Sequence, residues 1–374
     1  MMRALGELGH QLLEVGLVIH GDAPKPQQES KPSRWGFVTR MPRFMRELAE
    51  YGYNSVARRR ILSAALHFEP EVIYERYAFG NASGIMAAKH LKLPLILEVN
   101  SPLVLELERT RGLSFPGLAR KLERFVYTGA DRVCVVSEVL KEMLVDLDVD
   151  PERIFVTPNG VDLADYDYQD RGATRRAARE DLGLPAEQAG EVVIGFVGYY
   201  REWHRLDVVL AAMVEPGLER SRLVLIGEGP ARESLEREAG RLGLSGRVHF
   251  AGTRPHARIP SLLPGFDVAV VPAINDYASP LKLHEYMAAC LPVVAPDQPN
   301  LREVLSADQN ALLVPPGDAD AMAEAVLTLA RDAELRQRLG WAGRNTIDER
   351  DLTWSGNARR VTRVFEELLQ EQKS

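Results

Sequence analysis

The residues best suited to chemistry fall in three short runs. In ASPLKLHEYMAACLPVVAPD, residues 278–297, Lys282 and Glu285 stand three apart at the mouth of an otherwise apolar segment. Pro280 suits the first turn of a helix, where its missing N–H would lack a partner anyway, and Ser279 can cap it. The helix mouth at Ser279–Leu281, with free amides and the positive dipole end, makes an anion site that a diphosphate fits. Lys282 can add a charge there, and Glu285, three residues on, faces the same side of the helix. Taken alone, the run reads more readily as a capped surface helix with an incidental Lys–Glu pair. In FVGYYREWHRLDVVL, residues 196–210, Arg201, His204 and Arg205 cluster after an apolar strand. An arginine can fork two phosphate oxygens, and a histidine helps most when protonated. On that reading activity falls as pH rises past the His204 pKa. The alternative is a solvated basic loop with Trp203 packed beneath it. In LPLILEVNSP, residues 93–102, Glu98 and Asn100 end a strand, and Tyr74, Glu75, Arg76 and Tyr77 end the one before it. Asn100 can hydrogen-bond sugar hydroxyls but cannot be a general base at neutral pH. Glu98 and Arg76 either face a ligand or form a buried ion pair, and both readings stand.

The elements that must position these groups are short, apolar and β-branched. The strand candidates are LLEVGLVIH, EVIYER, LPLILEVN, RVCVVSE and RIFVTPNG, then VVIGFVG, RLVLIGEG, RVHFAG, DVAVVPA, LPVVAPD and ALLVPPGD. Runs this apolar suit parallel strands covered on both faces, and the helical patterns between them make βαβ units. The expected class is therefore α/β, with two Rossmann-like doubly wound parallel sheets. Expected domains are 1–165 and 191–350, joined by a polar linker at 166–190 with a helix near 172–182. The last stretch, 351–374, is expected to be a helix that docks back on one of the domains. Ligands of such sheets sit at the carboxyl ends of the strands, which two facing sheets would place in a central cleft.

The 374 residues, 45% hydrophobic and 26% charged, fit two soluble globular domains. A formal charge of −7 argues against broad nucleic-acid binding. Cys134 and Cys290 sit in apolar surroundings and read as reduced core residues. No apolar run approaches the roughly 18 residues of a membrane span. Glu14 interrupts the apolar N-terminal run and Arg3 is a lone charge, so no signal peptide is expected, and the cytoplasm is the expected location. The histidines show no metal-ligand spacing, and neither Asp165-Tyr166-Asp167 nor Asp318-Ala319-Asp320, the latter a helix cap, is assigned a metal. Arg58–Arg60 and Arg175, Arg176 and Arg179 read as solvated helix faces or, less readily, as contacts to anionic lipid. Ser137 reads as a cap, and Gly160, after Asn159, as a turn residue at positive φ.

Three segments in order carry a resemblance: RIFVTPNGVD (153–162), RLVLIGEGPARESLEREAGRLGLSGRVHFAG (222–252), and FDVAVVPA followed by SPLKLHEYMAACLPVVAPD and Glu303 to Leu305. In content and spacing the set resembles the retaining glycosyltransferases of family four, which adopt the GT-B fold. The resemblance implies transfer of a sugar from a nucleotide-diphosphate sugar to a glycan or lipid-linked acceptor, with retention and with no metal or further cofactor. It implies that Lys282 and Glu285 are catalytic, the glutamate accepting the hydroxyls of a ribose, and the basic loop adds Arg201 and His204 as catalytic candidates. Substrate contacts fall on Gly198, Asn100, Glu98, Arg76, Asp276, Tyr277, Ser279, Pro280, Leu281 and Arg254. Relatives build polysaccharide or glycolipid, usually at the inner face of the membrane, which implies a peripheral contact there. The chain departs from the pattern in three places. Tyr277, with Asp276 beside it, stands where the family carries a first glutamate eight residues before Glu285. Tyr199 replaces an arginine, and His204-Arg205 replaces a Lys-Gly pair. The chain is expected to open inside the family's first helix, with Gly9-His10 at its end and the preceding strand and glycine turn absent. Two other readings remain, a non-catalytic nucleotide-sugar-binding protein of the same fold and a sugar-nucleotide epimerase.

Overall fold

The computed structural model describes residues 1–16, 42–185, 187–188 and 190–373. The chain divides into two compact units, Met1–Thr157 with Ala358–Ser374, and Pro158–Asn357. The stretch 166–190 lies within the second unit, and the terminal residues from Ala358 count with the first.

In the first unit, β1 (Ile73–Arg76), β2 (Leu95–Val99), β3 (Arg132–Val135) and β4 (Ile154–Val156) form a parallel sheet in the order β1-β2-β3-β4. Leu95, Ile96, Leu97, Val133 and Val135 are fully buried, so successive side chains on both faces are covered. One face carries Tyr74, Ile96, Cys134 and Phe155, and the terminal helix Trp354–Glu371 lays Val364, Phe365 and Leu368 on it. His10 anchors the same helix, with Nε2 2.8 Å from Thr362 Oγ1 and its ring edge-on to Phe365. A helix runs Met2–Glu7, and Gly9 follows at φ 91°. Of the candidate strand LLEVGLVIH, residues 12–16 carry no regular structure and the remainder lies outside the described residues.

The second unit holds β5 (Val192–Val197), β6 (Ser221–Ile226), β7 (Val248–Gly252), β8 (Val268–Val270), β9 (Val293–Pro296) and β10 (Leu312–Val314). All are parallel, in the order β10-β9-β8-β5-β6-β7. Strand order reverses between β5 and β8, which is where ligands bind in open doubly wound sheets. Ile194, Phe196, Leu223, Leu225, Val268 and Val270 face one core, with Val209, Met322 and Leu329 from covering helices. Val193, Val224, Ile226, Ala269 and Val271 face the other, against Leu283, Tyr286 and Leu301. Gly195 clears the Phe266 ring, which a Cβ would meet at 1.9 Å.

Three expectations change. The basic face of the helix Arg171–Asp181 is not simply solvated. Arg179 forms a buried pair with Glu191 at 2.5 Å, and Arg175 reaches Asp267 at 3.0 Å and the carbonyls of Pro264 and Phe266. These arginines bind the helix to its unit and are not available to lipid. Gly160 is absent from the positive-φ residues; it is required because a Cβ would meet the Thr353 carbonyl carbon at 2.5 Å. Ser279 does not cap the next helix. Its hydroxyl accepts from the Asn159 amide at 3.0 Å and its carbonyl from Asn159 Nδ2 at 2.6 Å, while Pro280 occupies the N-cap. Ser137 and Asp318 do cap helices, accepting from the Leu140 and Ala321 amides.

Candidate functional site

Two loops at the strand-order reversal build the site. The first follows β5. Gly198, at φ 151°, donates its amide to the Ile226 carbonyl at 2.9 Å. Gly227, at φ 135°, lies so close that a Cβ there would stand 1.9 Å from the Gly198 carbonyl oxygen. Only glycine permits this approach, and the pair locks the turn after β5 against the turn after β6. Tyr200 continues the lock, donating its amide to the Glu228 carbonyl at 2.8 Å and accepting from the Ala231 amide at 3.1 Å.

The second loop leads from β8 into the helix Leu281–Ala288. Tyr286 ties that helix to β5, because its hydroxyl accepts from the Val197 amide at 2.7 Å. One turn earlier on the helix, Lys282 is thereby brought over the Phe196 ring, with Nζ 4.1 Å from the centroid. A Cβ at Gly198 would sit 2.8 Å from that Nζ. Burial pushes the Lys282 ammonium down to about 7, against the pull of the Glu285 carboxylate. Among the described residues Lys282 forms no ion pair that would restore its ordinary basicity. The amides of Leu281 and Lys282 donate to no acceptor among the described residues.

Arg201 lies on an exposed aromatic platform, its guanidinium carbon 4.7 Å from the Tyr199 ring and 5.2 Å from Trp203. Trp203 is 44% exposed and so does not pack beneath the loop. Arg205 is paired with Asp207 at 3.0 Å. His204 overturns the expectation of a protonated phosphate ligand. It is only 8% exposed, lies edge-on to Phe196, and its ring Nδ1 faces the Arg201 amide at 3.5 Å. Burial and the Lys282 charge push its pKa down to about 3, so it is neutral near pH 7 and no fall in activity is expected from its deprotonation.

Glu285 is nearly buried, its side chain 9% exposed, and its Oε1 lies 2.9 Å from Nε2 of His256, whose side chain is 82% exposed. His256 sits in the loop after β7 and was not singled out in the sequence. Its only local signal was its place in a loop at a carboxyl strand end. Arg254, in the same loop, donates to the Ala251 carbonyl at 2.6 Å and lies 3.9 Å from Asp181. Tyr277 is buried, with its hydroxyl accepting from Asn275 Nδ2 at 2.9 Å, and Asp276 is exposed on the turn before it.

In the first unit the structure groups Arg76, Glu98 and Asn100. Glu98 accepts from Tyr74 OH and from Asn100 Nδ2, each at 2.7 Å, and Arg76 Nε stands 3.7 Å away. Arg76 is largely exposed, so the pair is not the fully buried bridge that was one reading. Glu75 turns inward instead. Its Oε1 accepts from Asn81 Nδ2 at 2.7 Å, and burial pushes its pKa up to about 7. Gly84 makes room for it, since a Cβ there would lie 2.0 Å from Glu75 Oε2.

Comparison with known proteins gives this geometry a family. The model described as Glycosyl transferases group 1 matches residues 179–346, and that of Glycosyltransferase Family 4 matches residues 1–165. A D-inositol 3-phosphate glycosyltransferase of Corynebacterium efficiens is 29% identical over 260 residues, covering 67% of this chain and 59% of that protein. A phosphatidyl-myo-inositol mannosyltransferase of Mycobacterium leprae is 32% identical over 214 residues, covering 56% and 52% respectively. The chain thus spans between half and three fifths of the length of these curated relatives. Among solved structures, Anabaena Alr3699/HepE in complex with UDP superposes with a TM-score of 0.70 at 19% identity, over 83% of this chain and 82% of its own. With both halves matched in sequence order and each unit a parallel α/β sheet, the chain belongs to the family-four glycosyltransferases, of the GT-B fold.

Proposed function

We propose that this protein is a glycosyltransferase that moves a sugar from a nucleoside-diphosphate sugar to a glycan or lipid-linked acceptor, with retention at the anomeric carbon. The observation that carries the reading is Lys282. It is a desolvated cation beside Gly198 at the reversal of strand order, with Glu285 one turn on. The helix amides at Leu281 and Lys282 and the Lys282 ammonium would hold the diphosphate, and Glu285 the ribose. Arg201 on its aromatic platform is the second cation for the leaving group. In the transfer the acceptor oxygen bonds to the anomeric carbon as the carbon–phosphate oxygen bond breaks, and the acceptor proton passes to the leaving phosphate. We propose no metal in this step. Of the acids in the two Asp-x-Asp sequences, Asp167 pairs with Arg344 at 2.6 Å and Asp318 caps a helix. Action in the cytoplasm, at the inner membrane face, belongs to the same proposal; among the described residues no helix is long and apolar enough to cross a membrane.

One observation favours a second reading, that of a nucleotide-sugar binder without transfer. Tyr277 is buried where a donor-sugar glutamate is expected, and the neighbouring acid, Asp276, lies out on the turn. Calorimetry with UDP and GDP, followed by assay of nucleoside-diphosphate release from a panel of donor sugars with and without acceptors, decides between them. Release dependent on acceptor supports transfer. Conversion of the donor without acceptor would indicate an epimerase, binding without turnover would leave the binder, and no binding at all would refute the site.

A further inference from the structure

The His256–Glu285 contact has a feature that the proposed function does not explain. Glu285 is a nearly buried carboxylate, whereas His256, which meets it at 2.9 Å, is almost fully exposed. The contact joins the loop after β7 to the helix after β8, so it fixes a side chain across two separate elements. A glutamate side chain has three rotatable torsions, and Lys282, one turn earlier on the same helix, is drawn over Phe196. His256 Nε2 is the nitrogen that reaches Glu285 Oε1. The hydrogen bond to Glu285 raises the His256 pKa, burial opposes this, and the charges of Glu285 and of Asp165, on the turn Leu163–Tyr166, reinforce it.

We propose that His256 is a positioning residue that grips Oε1 of Glu285 and presents the remaining carboxylate acceptor sites to the hydroxyls of a ribose, so that it sets the preference for ribose over deoxyribose nucleotides. The proposal rests on the reading of Glu285 as the ribose acceptor. A carboxylate offers about four lone-pair directions, so one histidine and two hydroxyls can share it. Without the histidine the carboxylate turns among rotamers, and the ligand must order it on binding.

The test is a ratio, which a general loss of stability or of phosphate affinity would not move. Dissociation constants for UDP, GDP and their 2′-deoxy counterparts are measured by calorimetry on the full chain with wild type, His256→Ala and His256→Gln. A hydroxyl donating to an ionised acceptor is expected to favour the ribose form about tenfold or more in the wild type. His256→Ala is expected to bring the ratio to within about twofold of unity, and His256→Gln, which keeps an N–H donor, to restore most of it. A wild-type ratio retained in His256→Ala overturns the role of His256 and leaves Glu285 standing. A wild type that binds both sugars equally, or binds neither nucleotide, overturns the Glu285 reading and this inference with it.

Discussion

Lys282 offers the sharpest test of the site. Burial holds its ammonium near 7, where an ordinary lysine lies at 10.5. A diphosphate seated at the helix mouth favours the charged form and draws the pKa back up. Binding must then take up a proton. At pH 8 about nine tenths of the lysines in the free protein are neutral, so this group takes up about 0.9 proton per nucleotide, against about 0.1 at pH 6. The apparent Kd carries a factor of 1 + 10^(pH − 7), which grows from about 2 at pH 7 to about 30 at pH 8.5, an affinity loss of about fifteenfold. A terminal phosphate with a second pKa near about 6 is already ionised in that window and does not offset the loss. Titration calorimetry with UDP or GDP at pH 8, in two buffers of different ionisation enthalpy, reads the proton uptake directly. Lys282→Met is the control: its binding is weaker at pH 7, and the share of uptake due to the lysine disappears. Wild-type binding that matches the variant in proton uptake and in pH dependence would refute the reasoning.

Three further outcomes follow from the packing. Gly227→Ala drives a methyl toward the Gly198 carbonyl and is expected to destabilise the second unit by about 3 kcal/mol in denaturant titration and to abolish nucleotide binding. Tyr286→Phe leaves the Val197 amide without its acceptor; about 1–2 kcal/mol of stability should be lost, with a measurable drop in affinity as Lys282 loses its brace. Glu75 has a folded pKa raised from 4.5 to about 7, so the folded state binds more protons between those values and stability falls as pH rises through that window. Glu75→Gln should remove about 2–3 kcal/mol of that slope, read as the difference between variant and wild-type denaturation midpoints at pH 5 and pH 8.

Much of this was written locally. Every strand candidate from EVIYER onward appears as a strand, because short apolar runs ended by Gly, Pro or polar residues suit parallel strands between helices. Lys282 and Glu285 were legible because a helix fixes residues three apart on one side. What escaped was tertiary. The pairing of Ser279 with Asn159 joins residues 120 apart in sequence and displaces a cap that local spacing favoured. His204 looked like a loop cation because its neighbours are basic, yet burial and the Lys282 charge make it neutral. His256 showed itself only by its place in a loop at a carboxyl strand end, since its partner lies beyond β8 in the chain. Arg175 and Arg179 looked like a charged outer face; the acids that claim them, Asp267 and Glu191, lie beyond the helix in sequence.

The terminal helix sets an order of events during synthesis. The second unit is one uninterrupted stretch, Pro158–Asn357, and all its strands are translated before the terminal helix Trp354–Glu371. The first unit is assembled from both ends, and the sheet face around Tyr74, Ile96 and Cys134 stays bare until Val364, Phe365 and Leu368 emerge. The half of the molecule translated first is therefore sealed last, by residues that follow the whole of the second unit in the chain.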